Sequence, residues 1–188
     1  MLCQKIYARS IIEEFSIRFD ENIHCLEDLL FMYQYLLHCD YLVLNHMQNY
    51  VYVKHPFSLS HRIHSFESEY CCFVKYQQLL AEMMKVWKIP VGDMVVTVNS
   101  MLVPFRRALK SDYQPDRTIP REMRVKHLKR MISESRDVFL KYYHPVFKTD
   151  KLGKVLLGFN CYILYDFYIR LLFRLNIGPV FYGPKHMY

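Results

Sequence analysis

The chain has 188 residues, enough for one domain with a sizeable core, of which 52% are hydrophobic and 16% aromatic, with a net charge of +7. Only 5 Gly occur, and neither G-x-G-x-x-G nor G-K-S/T is present, which excludes the usual phosphate-cradling nucleotide loops. The aromatic share and a mean hydropathy of −0.05 are high for a freely soluble domain.

In chain order, Met1 to Ser16 mixes polar and apolar residues, and Ile11, Ile12 and Phe15 outline a short helical face. Ile17 to Phe19 reads as a short extended piece and Asp20-Glu21-Asn22 as a turn. Glu27 and Asp28 then head a run in which Leu26, Leu29, Leu30, Tyr33, Leu36 and Leu37 recur at steps of three and four, which predicts a helix. Acidic residues favour helix starts and stay ionised at the positive end of the macrodipole. The pair is therefore either a plain start signal or an oriented carboxylate at a surface. Tyr41–Leu44 and Tyr50–Val53 are apolar runs of strand length around a polar link, and together they predict a hairpin. Pro56 to His64 is a loop. His55, His61 and His64 lie close together there, at a spacing that does not force a metal cluster.

The four elements so far come in a recognisable order: Lys5-Ile6-Tyr7 with Arg9; Ile17 to Asp20; Glu27-Asp28 with Phe31; and Tyr50-Val51-Tyr52 leading to Ser58 and Ser60. In this, Lys5 to about Arg62 resembles the acceptor-side part of bacterial glycosyltransferase family 2. The resemblance implies an α+β, mostly helical fold, a truncated GT-A-like half with a short hairpin at a sheet edge. Residues 1–62 would be the remnant of the catalytic domain and residues 63–188 a helical, membrane-associating C-terminal region. It also implies inverting transfer of a sugar from a nucleotide-sugar to the hydroxyl of a lipid-linked or polysaccharide acceptor. Asp28 would be the base with Glu27 beside it, and Lys5, Arg9, Tyr52, Ser58, Ser60 and His61 would border the acceptor. The family's donor half, with its Asp-x-Asp and Mg2+ or Mn2+, has no counterpart, because no Asp-x-Asp occurs. The chain alone is accordingly expected to be inactive, with no cofactor or metal of its own. A sheet missing its centre would leave an exposed apolar patch.

From Ser65, a plausible N-cap, Phe66, Tyr70, Phe73, Leu80, Met84 and Trp87 recur at helical steps up to Pro90, a stripe best read as core. Val91 to Leu109 is ambiguous: Val95, Val96 and Val98 favour a strand locally, the flanks favour a helix broken near Pro104, and helix is preferred. Pro120 opens another helix, with Val125, Leu128 and Ile132 as its apolar side. Lys154 to Arg174 has too short an uncharged stretch, Val155 to Tyr165, to span a bilayer. Asp166, Arg170 and Arg174 fall four apart amid bulky Leu, Ile, Tyr and Phe. The pattern fits a helix lying in a membrane interface, and equally a core helix with an Asp166–Arg170 pair at its rim. Gly178 to Tyr188 reads as a poorly ordered tail.

The positive charge is local. Arg106, Arg107, Lys110, Arg117, Arg121, Arg124, Lys126, Lys129 and Arg130 face only Asp112, Asp116 and Glu122 within their window. Such a cluster marks a solvated face or an anionic membrane surface, for which Arg106, Arg107, Arg124, Lys126, Lys129, Arg130, Arg170 and Arg174 are the candidates. No nucleic-acid motif accompanies it, so no nucleic-acid partner is expected. The Cys at 3, 25, 39, 71, 72 and 161 lack C-x-x-C spacing, and nothing at the start reads as a secretory leader. They are expected to be reduced thiols of a cytoplasmic protein, one that is peripheral on the membrane if the amphipathic reading holds.

Overall fold

The computed structural model describes residues 5–43, 51, 63–90, 93, 95–145, 147–175 and 177, with the backbone alone for 95–97. These form α1 (Arg9–Glu14), α2 (Glu27–Leu36), α3 (Phe66–Trp87), α4 (Val95–Lys110), a 3-10 turn (Ser111–Tyr113), α5 (Arg121–Glu134), α6 (Arg136–Tyr142), α7 (Lys148–Gly158) and α8 (Tyr162–Arg174). No strand occurs among them, which corrects the expected α+β, GT-A-like class. Tyr41–Val43 and Val51, the described part of the expected hairpin, lie in no strand; the rest of that hairpin falls outside the described residues. Their apolar, β-prone side chains stay exposed, because a strand needs a partner on which to bury its face.

The 22-residue α3 is the axis of the fold. Ser65 caps it, its Oγ accepting from the Ser68 N–H at 3.4 Å. Helix α4 packs along α3 in the opposite direction: Glu69 meets Arg107 near one end, and Phe73 meets Phe105 (ring centroids 5.0 Å apart) further along. The high aromatic content is spent here. Phe73, Tyr76, Phe105 and Phe139 are fully buried and join Met101, Met131, Ile132, Leu157 and Ile169 in one core. Helix α4 continues through Pro104, whose ring is itself buried, so no break occurs there. The valines before it turn helical, since the packing of a long apolar face outweighs their local strand preference.

Helices α7 and α8 form an antiparallel hairpin: Thr149 O accepts from the Tyr168 hydroxyl at 3.0 Å, and Gly153 lies against Tyr165. A Cβ at Gly153 would come within 3.0 Å of the Tyr165 ring, so the close approach of the two helices depends on that glycine. Near the N-terminus, Ile17, Phe31 and Tyr35 make a small satellite core with Tyr7, Ile11 and Ile12, while Ile23 and Leu30 join the main one.

Candidate functional site

The carboxylate pair starts α2, as the spacing predicts, although its N-cap is Leu26 in the left-handed region (φ 63°) and offers no side-chain cap. Glu27 and Asp28 are both half-buried. Burial, with the Asp28 carboxylate second, pushes the Tyr7 phenol upward. Lys5 and Arg9 are exposed, and Arg9 Nε is bonded to Glu13 Oε1 at 2.7 Å. Tyr52, Ser58, Ser60 and His61 lie outside the described residues, as does His55. His64 is instead tied into the fold: its N–H donates to Glu69 Oε1 at 2.8 Å and its carbonyl accepts from Arg117 Nη1 at 2.6 Å.

The basic window divides into two populations. Arg107 makes a bidentate pair with Glu69 (Nε–Oε2 2.7 Å, Nη2–Oε1 2.6 Å), and Glu69 is only 1% exposed. Burial alone would lower the Arg107 guanidinium, but its bonds to Glu69 hold it above its ordinary value. Arg124 pairs likewise with buried Asp166 (Nε–Oδ1 2.6 Å, Nη2–Oδ2 3.0 Å), which raises Arg124. Arg106 and Lys110 share buried Asp150 at 2.7 and 3.0 Å. Arg117 donates to the carbonyls of Ile63, His64 and Ser111, and Arg130 to Glu67. Arg106, Arg107 and Arg124 are thus the electrostatic frame of the interior, while Arg130 pairs with Glu67 at the surface. Arg121, Lys126, Lys129, Arg170 and Arg174 are exposed and pair with no other described residue.

Helix α8 shows why the unpaired cations lie where they do. Asp166, Arg170 and Arg174 form a row that drifts by about 40° around the helix with each four-residue step. Over two steps the row passes from the buried side to the exposed one. Asp166 is 2% exposed, and its partner is Arg124 on α5 rather than Arg170. Tyr165 is buried, and the hydroxyls of Tyr162 and Tyr168 bond to Asn160 and Thr149, so these tyrosines serve the fold. The opposite face is apolar and open: Ile163, Leu164, Phe167 (63% exposed) and Leu171 line it, preceded by Phe159 (77% exposed) in the turn. Arg170 edges this strip and Arg174 ends it.

Between α5 and α8 lies a groove of about 660 Å³ lined by Arg121 and Lys129 on one side and by Asn160, Tyr162, Phe167 and Arg170 on the other. The apolar repeat at 163, 167 and 171 was readable as one helical face, but the contribution of Arg121 to this wall was not. Among the described residues no His/Cys/Asp/Glu group is placed to hold a metal, and no helix is long and apolar enough to cross a membrane. Cys72 donates to the Cys25 carbonyl at 3.4 Å, and burial pushes the Cys25 thiol up to about 11, so neither is a nucleophile at neutral pH.

No family model, curated protein or solved structure matches the chain. The resemblance of Lys5 to Arg62 thus has no support beyond the residues that carry it, and the sheet-edged scaffold it implied is replaced by helices.

Proposed function

We propose that this protein is a non-catalytic helical module that docks on an anionic membrane surface through the outward face of α8. The observation that carries this reading is the face itself: Ile163, Leu164, Phe167 and Leu171 turn away from the core, with Arg170 and Arg174, which pair with no other described residue, beside them. A surface helix normally turns its apolar side inward, and an exposed apolar strip of this kind marks an interaction site. Its cationic border selects an anionic interface over a second apolar protein face. Arg121, Lys129, Arg170 and Arg174 would each contribute about 1 kcal/mol near anionic lipid, roughly a thousandfold in partitioning together. Insertion of Phe159 and Phe167 among the headgroups adds the apolar part.

Co-sedimentation with phosphatidylserine-containing and with neutral phosphatidylcholine vesicles tests the reading. The native chain is expected to pellet with the anionic vesicles, to be released by high salt, and to ignore the neutral ones. Phe159→Glu combined with Leu171→Glu, both at exposed sites, should leave the helical content unchanged and abolish pelleting. A native chain that stays in the supernatant over anionic vesicles removes the membrane as partner.

A further inference from the structure

The groove beside the apolar strip has a chemistry of its own. It brings together two cations of α5 and one of α8, Arg121, Lys129 and Arg170, none of which pairs with another described residue. The acid that also lines it, Asp166, already has both oxygens committed to Arg124, so it does not neutralise them. Three cations without a partner among the described residues line one concavity and give it a positive potential that an entering anion would meet. Asn160 adds an amide to the same wall. The first turn of α8 carries neither a capping side chain nor an acid, so its end of the helix adds positive potential to what the side chains already supply.

The other wall is apolar. Tyr162, Ile163 and Phe167 line the groove, and Ile163 and Phe167 also belong to the exposed strip, so groove and strip are continuous. A ligand that fits both has a phosphate at one end and a hydrocarbon chain at the other. We infer that the groove between α5 and α8 binds the phosphate headgroup of an anionic lipid, with the acyl chain lying along Ile163 and Phe167. The inference rests on the membrane-docking reading for its setting, and it adds a headgroup site to what is otherwise a general attraction to negative charge. Arg121 and Arg170 suit a phosphate because their guanidinium forks match two of its oxygens at once.

The test uses the full chain and lipids below their micelle concentration, so that no membrane is present. Calorimetric titration with dihexanoyl phosphatidic acid should show saturable binding, while dihexanoyl phosphatidylcholine should show none. Lys129→Gln with Arg170→Gln, both exposed, should weaken binding by more than about tenfold with unchanged circular dichroism, and Lys129→Arg should retain it. Inorganic phosphate should bind at least about tenfold more weakly than the lipid, because the aromatic wall then buries nothing. Equal affinity for inorganic phosphate overturns the lipid as the source of the phosphate. Absent binding of the phosphatidic acid, or a double variant that binds as well as the native chain, overturns the site. Phe159→Glu with Leu171→Glu should lose vesicles yet keep the soluble lipid, since neither residue lines the groove. A native chain that ignores anionic vesicles but still gives the titration breaks only the docking reading, and a native chain that binds vesicles but gives no titration breaks only the headgroup site.

Discussion

Arg124 and Arg170 stand on the two helices that flank one groove, yet they do opposite work. Arg124 on α5 is buried and grips both oxygens of Asp166, while Arg170 on α8 is exposed and grips nothing described. The same division runs through the molecule. Along α4 and the inner side of α5 the cations face buried carboxylates. On the outer side of α5 and α8 they border exposed apolar residues. What separates the two sets is the carboxylate opposite, not the residue type. A buried acid must be paired, because an isolated charge in the interior carries a large desolvation cost. Glu69, Asp150 and Asp166 each hold a Lys or Arg, and the cations without a partner among the described residues remain available for a partner outside the fold.

The sharpest way to break this division is to remove an inner cation. Arg124→Met leaves Asp166 buried without its partner and should lower stability by about 3–5 kcal/mol, read by urea denaturation. Adding Asp166→Leu should recover most of that loss, because an apolar pair of similar volume needs no compensation. A double variant as unstable as the single one would show that Asp166 has another partner and that the pair is not the unit.

The second effect is smaller and depends on pH. Burial pulls the Lys110 ammonium down from its ordinary 10.5 to about 8, although Asp150 opposes the shift. Between these two values the unfolded chain keeps a proton that the folded protein has released, so unfolding takes up a proton and stability rises with pH. The native chain should gain up to about 1.4 kcal/mol per pH unit from this group across the window. Lys110→Met should lose that slope while Arg106 still holds Asp150 at 2.7 Å. Chemical denaturation from pH 8 to pH 9.5 reads it as the difference in slope between native and Lys110→Met, because the thiols of Cys25, Cys71 and Cys72, raised by burial above their ordinary 9.0, lower stability across the same window in both chains. Equal slopes would mean that Lys110 stays charged and belongs with the outer cations in its solvation.

The sequence made some of this division legible and hid the rest for a physical reason. Local signals held: Ser65 caps α3, Glu27 starts α2 and Pro120 precedes α5. A cap or a start signal acts within one turn, so it can be read from neighbours. The pairings act at a distance. Glu69, Asp150 and Asp166 stand 38, 40 and 42 positions from Arg107, Lys110 and Arg124, and nothing in the local pattern links them. A basic window of nine residues consequently reads as one solvated face when five of its members, Arg106, Arg107, Lys110, Arg117 and Arg124, hold the interior together. The Asp166–Arg170 step was the available local pair, and it lost to Arg124, which α5 brings to the buried side of α8 where Asp166 lies. At Tyr41 to Val43 the local strand preference had no partner among the described residues, and it produced no strand.

Removing an outer cation should produce the smallest change in stability, which sharpens the comparison from its other side. Arg170→Gln touches no described carboxylate, so its unfolding free energy should stay within about 0.5 kcal/mol of the native value. The same substitution takes one charge from the border of the apolar strip, and binding to phosphatidylserine vesicles should weaken by several-fold, about 1 kcal/mol. Raising salt should shrink the difference between native and variant, because the lost contribution is screened over about 10 Å at 0.1 M. An Arg170→Gln chain that unfolds as readily as Arg124→Met would place Arg170 among the inner cations, and the border of the α8 face would then lack the charge that selects an anionic surface.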